Sequence, residues 1–296
     1  MTTFGLVLPT MRPGAGPDVI EAAADAAERL GWSTVWTTDH VLVPHASAAD
    51  YGRIYEAITT LAWVGARFPR VKLGVSVIVV PLRNAVVLAK QLATLDALSG
   101  GRVVAGVGVG WNEAEFANLG ASDRFHRRGA YLDETIRLWR HLWSGSPEPF
   151  DGAFHRLHDF VFEPAPVQGA HLPVVVGGRS AGALRRAGAL GDEYHSTSTG
   201  PEEYAERLPA IRAAAEGAGR PMPRLSARLT ARFDVPASGG SILGPDPASM
   251  IGRCRAFAAI GVEELAVAFE PRDPTAFVAA VERFDQEVVR SADMGR

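Results

Sequence analysis

Apolar residues along this chain fall into two alternating kinds of segment. Short runs rich in β-branched residues alternate with longer segments in which apolar side chains recur every three or four positions. The run 71–80 is almost continuously apolar, which is typical of a parallel strand covered on both faces. In the segment 86–99, Leu88, Leu92 and Leu95 follow the spacing of one helix face. The runs therefore predict strands, and the periodic segments predict helices.

The pattern gives eight strands and eight helices in alternation. The predicted strands are residues 4–8, 34–37, 71–80, 103–109, 174–176, 193–196, 225–235 and 264–269. The predicted helices are residues 19–30, 55–68, 86–99, 129–143, 181–190, 201–217, a segment that ends near 260, and 274–289. Asp18 and Glu21 suggest a capping box at the first helix, and residues 154–162 are predicted to form a small hairpin.

Strands and helices that alternate in this number close into a (β/α)8 TIM barrel of the α/β class. We predict a single domain over residues 1–296. The alternative is a doubly wound open sheet, which needs a glycine-rich turn after the first strand. The sequence there, PTMRPG at 9–14, does not match that turn.

Composition and charge narrow the function classes. The 296 residues are 47% hydrophobic and 21% charged, as in ordinary globular proteins. A net charge of −3 gives no basic footprint for nucleic acid or an anionic membrane. Neither a membrane-spanning run nor a signal peptide is evident, and Cys254 alone cannot form a disulfide framework. We expect a cytoplasmic protein that acts on a small molecule.

Chemistry in such barrels lies where strands end and helices begin. Asp39 and His40 follow the second strand, and a histidine there is either a proton shuttle or a residue that fixes its own loop. The fourth strand ends in closely spaced glycines that would admit a flat ligand. Trp111 after it is either a pocket wall or a buried residue, and Asn112 either binds a ligand or caps the next helix.

The fifth strand is followed by Gly177, Gly178, Arg179 and Ser180 at the start of a helix. Free N–H groups and the helix dipole make this a candidate phosphate site, the alternative being a tight turn. The letters around Ser180 also match the G-x-S-x-G pattern of hydrolases, but the partner residues of a triad cannot be placed. No carboxylates accompany the histidines at metal-ligand spacing, so we expect no metal.

Together these landmarks resemble the luciferase-like flavin and deazaflavin oxidoreductases. The most specific part is AKQLATLDALSGGRV at residues 89–103, followed by the glycines up to Trp111 and by Glu115-Phe116. Asp39-His40 and the segment PVVVGG at 173–178 add to it. The resemblance covers nearly the whole chain and implies a (β/α)8 barrel, in agreement with the strand count.

The resemblance also implies a cofactor, coenzyme F420 or FMN, at the carboxyl end of the barrel, and the F420-dependent branch is the more similar. It implies a cis peptide bond between Ser76 and Val77 that backs the cofactor ring, and a position for His40 near the reactive edge of the ring. A homodimer is implied as well. The candidate cofactor-binding residues are Asp39, Ser76, Val77, Gly108, Trp111, Asn112, Gly177, Gly178, Arg179 and Ser180.

One position departs from the family pattern. Some F420-dependent dehydrogenases carry a glutamate directly after the fourth strand, where this chain has Trp111. The nearest acids are Glu113 and Glu115, in the predicted following helix. The first hypothesis is an F420-dependent oxidoreductase with His40 as proton donor or acceptor. The alternatives are an FMN-dependent monooxygenase that uses reduced flavin and oxygen, and a catalytically silent flavin-binding protein.

Overall fold

A computed structural model describes residues 2–235, 239–270 and 273–291. Within these residues eight parallel strands form the barrel: β1 Thr3–Val7, β2 Thr34–Thr37, β3 Lys72–Val75, β4 Val103–Gly108, β5 Val174–Gly177, β6 Glu193–Thr197, β7 Arg224–Ala231 and β8 Glu264–Ala268. The helices that follow them are α1 Pro17–Leu30, α2 Ala57–Gly65, α3 Ala85–Ser99, α4 Arg128–Trp143, α5 Ala181–Leu190, α6 Pro201–Gly217, α7 Pro247–Ala259 and α8 Pro274–Phe284.

The strands pair in chain order, and the sheet closes on itself. β1 lies between β2 and β8, with Leu6 opposite Val35 on one side and Val267 on the other. β6 pairs with β7, and β7 pairs with β8, all in parallel. The predicted (β/α)8 barrel is therefore confirmed. The doubly wound alternative is wrong, because an open sheet leaves two edge strands unpaired.

Alternation along a strand separates the two sides of the barrel wall. On β7, Leu225, Ala227 and Leu229 are buried and belong to the main hydrophobic core with the surrounding helices. Ser226 instead hydrogen-bonds His195 on β6, and Arg228 reaches Ser76 beyond β3. Polar side chains of this strand therefore enter the barrel interior, while its apolar side chains pack on the helices.

Several predicted boundaries are wrong in detail. Helix α1 begins with Pro17 after an extended Gly16, and the capping position carries no side-chain bond, so the proposed capping box at Asp18 does not form. The strand predicted at 71–80 is interrupted after Val75 and resumes only at Ile78–Val79. The hairpin pairs Phe150–Asp151 with Arg156–Leu157 rather than spanning 154–162.

Some elements were not predicted at all. Short helices occur at Ala48–Tyr51, Glu113–Asn118 and Ser122–Phe125. The helix predicted at 274–289 widens into a π-helical turn over Asp285–Val289. The first two helices lie after β2 and β4, in the loops that carry the candidate site.

Cys254 lies on α7 and is fully buried. Burial raises the pKa of its thiol to about 12. In the described ranges, no helix is both long enough and apolar enough to cross a bilayer.

Candidate active site at the carboxyl end of the barrel

A cavity of about 680 Å³ opens at the carboxyl ends of the strands. We call it the main cavity. Its wall is built from the residues that follow β1 to β6 and from the end of β7. They include Thr38, Asp39, His40, Tyr51, Ser76, Val77, Val79, Gly108, Trp111, Arg128, Gly177, Gly178, Arg179, Ser180, Thr197, Ser198, Arg228 and Thr230.

The barrel brings together all of the predicted site residues except Asn112. That side chain donates to Ser47 Oγ at 3.3 Å and makes no capping bond to its helix, so the capping alternative is wrong and the ligand-binding role stays a prediction. Trp111 is 59% exposed and stands in the cavity wall, so the buried alternative for it is wrong. The binding roles of the lining residues remain predictions.

His40 is held by a carboxylate from the short helix after β4. Its Nδ1 lies 2.7 Å from Glu115 Oε2, and both residues are buried. The other oxygen, Oε1, accepts the backbone N–H groups of Val41 at 2.7 Å and Leu42 at 3.3 Å. Glu115 thus fixes both the imidazole and the backbone that follows it.

The charge state of this pair follows from its contacts. Burial by itself raises the pKa of the Glu115 carboxyl, but the hydrogen bonds from His40, Val41 and Leu42 outweigh burial and lower it. An ionised Glu115 requires a proton on His40 Nδ1. No hydrogen bond from a described residue reaches Nε2, so in the neutral ring that nitrogen offers a lone pair to the main cavity.

Asp39 anchors the interrupted third strand. Its Oδ2 accepts the Val79 N–H at 2.8 Å, and its Oδ1 accepts from Arg83 Nη2 at 2.5 Å. Arg83 also lies 3.0 Å from Glu56. The Asp39 carboxylate therefore ties the loop after β2 to the segment after the interruption, and both oxygens are engaged inside the protein.

The peptide bond between Ser76 and Val77 is cis, as the resemblance implies. The Val77 side chain packs where two neighbouring strands end in glycine. A Cβ on Gly108 would lie 2.6 Å from Val77 Cγ2, and one on Gly177 would lie 2.7 Å from Val77 Cγ1. A larger residue would not fit at either position because Val77 occupies the adjacent space. This packing holds the Ser76–Val77 peptide in the cavity wall.

Beyond β5 the chain forms a cradle for an anion. Gly178 adopts φ +121°, a conformation that side chains disfavour, and Ser180 caps α5 by accepting from the Ala183 N–H. The first N–H groups of α5 point out of the helix without intrahelical partners. Arg179, next to this helix start, and Arg128 both line the main cavity and add positive charge to it.

Polar side chains continue below the cavity, inside the barrel. His195 bridges Ser76 Oγ at 2.9 Å and Ser226 Oγ at 2.8 Å, and its ring stacks on Trp36. Burial lowers the pKa of His195 to about 3, so the ring is neutral at physiological pH. Arg228 donates to Ser76 O at 3.0 Å, above this layer.

The lining or supporting residues that were not among the candidates include Glu115, Arg128 and Arg228. Glu115 was noted only as an acid in the next helix, because its contact with His40 joins positions 75 residues apart. Arg228 had a signal in the sequence, since Ser226, Arg228 and Thr230 alternate with apolar residues in a predicted strand. Arg128 had none that separates it from other arginines at helix starts.

Comparison with known proteins identifies the family. The family model described as luciferase-like monooxygenase matches residues 2–290. The F420-dependent glucose-6-phosphate dehydrogenase of Mycolicibacterium fortuitum is 38% identical over 211 residues, which is 69% of this chain and 60% of that protein. The enzyme of the same name from Kineococcus radiotolerans is 36% identical over 207 residues, with 69% and 60% covered. The matches thus span about 60% of the length of these relatives.

Solved structures support the fold. An F420-dependent secondary alcohol dehydrogenase with an F420–acetone adduct superposes with a TM-score of 0.82 at 17% identity, over 98% of this chain and 99% of that one. The FMN-bound oxygenating constituent of 3,6-diketocamphane monooxygenase from Pseudomonas putida gives a TM-score of 0.81 at 16% identity, with 98% and 99% covered. The fold is therefore shared by F420 and FMN proteins and does not choose between them. With the family model matching almost its whole length, the chain belongs to the luciferase-like monooxygenase family.

Proposed function

We propose that this protein is an F420-dependent oxidoreductase that transfers hydride between the deazaflavin and a small organic substrate. The observation that carries the proposal is the His40–Glu115 pair, which presents a proton-accepting nitrogen to the main cavity. Hydride transfer to or from a carbon that bears oxygen needs such a group for the accompanying proton. The relatives named as F420-dependent, which match about two thirds of this chain, support the choice of cofactor.

The residues of the main cavity fit a phosphate-bearing flavin analogue. The backbone of Gly177 and Gly178, with Arg179 and Ser180, would hold the phosphate at the start of α5. The Ser76–Val77 peptide would back one face of the ring. When bound, F420 supplies hydride chemistry and little reactivity toward oxygen.

The protein contributes proton transfer and orientation. For a substrate hydroxyl that is oxidised, His40 Nε2 accepts the hydroxyl proton as hydride leaves the adjacent carbon, and for a carbonyl that is reduced it donates the proton back. Glu115 keeps the other proton on Nδ1 and stabilises the imidazolium by charge. Trp111 and Tyr51 lie beside the His40 ring, with centroids 6.1 Å and 4.3 Å away, and limit its access to water.

Titration of the purified protein with F420 and with FMN, read by tryptophan fluorescence, tests the cofactor assignment. Trp111 stands in the cavity wall and gives a local signal. We expect tight binding of F420 and at least tenfold weaker binding of FMN. Tighter binding of FMN would move the protein to the flavin monooxygenases, and binding of neither would contradict the phosphate cradle at Gly177–Ser180.

We also propose a homodimer, which the resemblance to related barrels supports. Size-exclusion chromatography with light scattering should give a molar mass of about twice the chain mass of 31.5 kDa. A mass equal to that of one chain at micromolar concentration would contradict it.

A further inference from the structure

Within residues 2–235, 239–270 and 273–291, Arg228 has no acidic partner. Its Nη1 donates to Thr38 Oγ1 and to Ser76 O, each at 3.0 Å, and lies 3.5 Å from Ser76 Oγ. All of these acceptors are neutral. Among the described residues no hydrogen bond uses Nε or Nη2, and neither atom is sealed from the cavity. Two donor nitrogens of a guanidinium therefore face open space.

A second cavity of about 300 Å³ adjoins the main cavity at this residue. We call it the side cavity. Its wall comes from the ends of β1, β7 and β8, and it includes Leu8, Thr230 and Phe269. Arg228 and Thr38 belong to both walls. The side cavity is large enough for a small organic molecule and too small for a cofactor with a tail.

The position of the side cavity separates it from the proposed cofactor site. The phosphate cradle follows β5, and the Ser76–Val77 peptide follows β3. A ring held between these elements would leave the ends of β1 and β8 uncovered, because Leu8 and Phe269 line only the side cavity. The side cavity therefore lies where a substrate reaches the ring, with Arg228 at the boundary.

The charges around the side cavity leave Arg228 uncompensated. In the part of the chain that the structure describes, the acids that line the two cavities are Asp39, which pairs with Arg83, and Glu270, which pairs with Arg232. Arg12 also lines both cavities, and it pairs with Asp50. Burial lowers the pKa of Arg228 to about 10, with Arg12 adding to the effect, so its guanidinium is charged at neutral pH. A buried charge of this kind is stabilised by an anionic ligand.

We propose that Arg228 binds the carboxylate of a small substrate in the side cavity, an inference that rests on the proposed function. Two free nitrogens of one guanidinium match the two oxygens of a carboxylate. A single uncompensated positive charge suits a singly charged group better than a phosphate monoester. The aromatic and aliphatic wall from Leu8 and Phe269 would pack the apolar part of the molecule.

Calorimetry with matched anionic and neutral probes tests the carboxylate site. Benzoate and pyruvate are compared with benzamide and pyruvamide, and glucose 6-phosphate serves as the phosphate probe, each with and without saturating F420. We expect at least one carboxylate to bind tenfold or more tightly than its amide. Arg228→Gln should remove this preference, a loss of roughly 10- to 100-fold for a charge-assisted hydrogen bond, and Arg228→Lys should retain part of it.

Two arginine variants serve as controls. Arg224→Gln makes the same charge change on β7 at the far end of the barrel, where the side chain pairs with Glu263, and it should leave both ligands unaffected. Arg179→Gln should weaken F420 but not the carboxylate. Thermal unfolding of each variant shows that it is folded, and Arg228→Lys replaces the glutamine variant if that one is not.

The outcomes separate this inference from the proposed function. Absence of F420 binding to the wild type, with carboxylate binding that depends on Arg228, would sink the cofactor assignment and leave the anion site standing. An Arg228→Gln protein that loses F420 affinity as strongly as carboxylate affinity would make Arg228 a cofactor contact and overturn the inference. Equal binding of acids and amides, or a preference for glucose 6-phosphate, would also overturn it.

Discussion

The Glu115 carboxylate binds both the side chain of His40 and the backbone that follows it. It holds a proton on His40 Nδ1, and it accepts the N–H groups of Val41 and Leu42. The loop after β2 and the His40 ring are therefore positioned by the same side chain. A glutamate directly after β4 is absent, but an acid four positions beyond Trp111 lies against the candidate proton carrier.

Glu115→Gln keeps the shape of this contact and removes its charge. We expect kcat with F420 to fall roughly 10- to 100-fold, because a neutral amide no longer stabilises the imidazolium. The Kd for F420 should stay within about twofold. Loss of F420 affinity with an unchanged kcat would instead show a purely structural role. Glu113→Gln, two positions away in the same short helix and exposed, is the control.

Glu193 gives a pH dependence to the stability of the barrel. Burial, aided by the nearby Glu264 carboxylate, raises the pKa of Glu193 to about 7. An acid with a raised folded-state pKa stabilises the fold below its unfolded pKa, and this contribution is lost as the pH rises through the folded value. Between pH 5 and pH 8 the wild type should lose roughly 1–3 kcal/mol of unfolding free energy relative to Glu193→Gln.

Urea denaturation of both proteins at several pH values measures this difference. Glu216→Gln, at an exposed position on α6, is the control and should track the wild type. Parallel pH curves for the wild type and Glu193→Gln would contradict the buried, protonated carboxyl.

The side chains that define the site could be found only in part from the sequence. Candidates at strand ends, such as His40 and Gly177, follow from the rule that barrel chemistry lies at those ends. The partners of these residues do not follow from that rule. Glu115 lies 75 positions from His40 along the chain, and Arg228 lies 152 positions from Ser76. Spatial pairing of this kind leaves no local pattern.

Among the secondary-structure elements, the interruption of β3 organises the site. Val77 projects from the interruption toward the glycine ends of β4 and β5, and Asp39 clamps the chain that follows. The isopropyl group of Val77 thus fills the space left by the absent side chains of Gly108 and Gly177. This contact holds three consecutive strands together. The apolar run at 71–80 predicted a strand but not its interruption, because a break in pairing does not change hydrophobicity.

Gly108→Ala tests this packing contact. The added methyl group would lie 2.6 Å from Val77 Cγ2, and we expect a loss of about 1–3 kcal/mol in the free energy of unfolding from overpacking. Combining it with Val77→Ala should recover much of that loss, because the clash partner is gone. Gly252→Ala is the control: it lies in α7 with open space around it and should stabilise by about 0.5–1 kcal/mol.

Denaturation of the two single variants and the double variant gives the coupling energy. Strictly additive losses for Gly108→Ala and Val77→Ala would show that the two positions do not share the space.

The elements outside the barrel were the least predictable. The short helices at Glu113–Asn118 and Ser122–Phe125 lack a long apolar period, which is the signal that identified α3 and α4.

The whole molecule depends on closure between its first and last units. An aromatic cluster joins them: Phe284 at the end of α8 lies 6.0 Å from Phe4 on β1, 6.1 Å from Trp32 and 5.7 Å from Phe269, between ring centroids. Trp32 Nε1 also donates to Asp285 at 3.1 Å. Alternation of eight strands and helices was enough to predict the barrel, but not which side chains seal it.

Phe284→Ala should destabilise the barrel by about 3–5 kcal/mol, because it removes a fully buried ring that contacts both ends of the chain. Urea denaturation followed by circular dichroism gives the value. Leu98→Ala, whose side chain is 83% exposed on α3, should change stability by less than about 0.5 kcal/mol. Equal effects of the two substitutions would argue against this closure.

The burial of Cys254 has a practical consequence. Because the chain contains one thiol, and that thiol lies wholly inside the packed layer between α7 and the barrel, an aromatic disulfide reagent can reach it only when this layer opens. The rate of colour release in native buffer would then report how readily this layer opens. Slower release of the coloured thiol on addition of F420 would show, without any substrate, that a ligand at the carboxyl end of the barrel stabilises the surrounding helical layer.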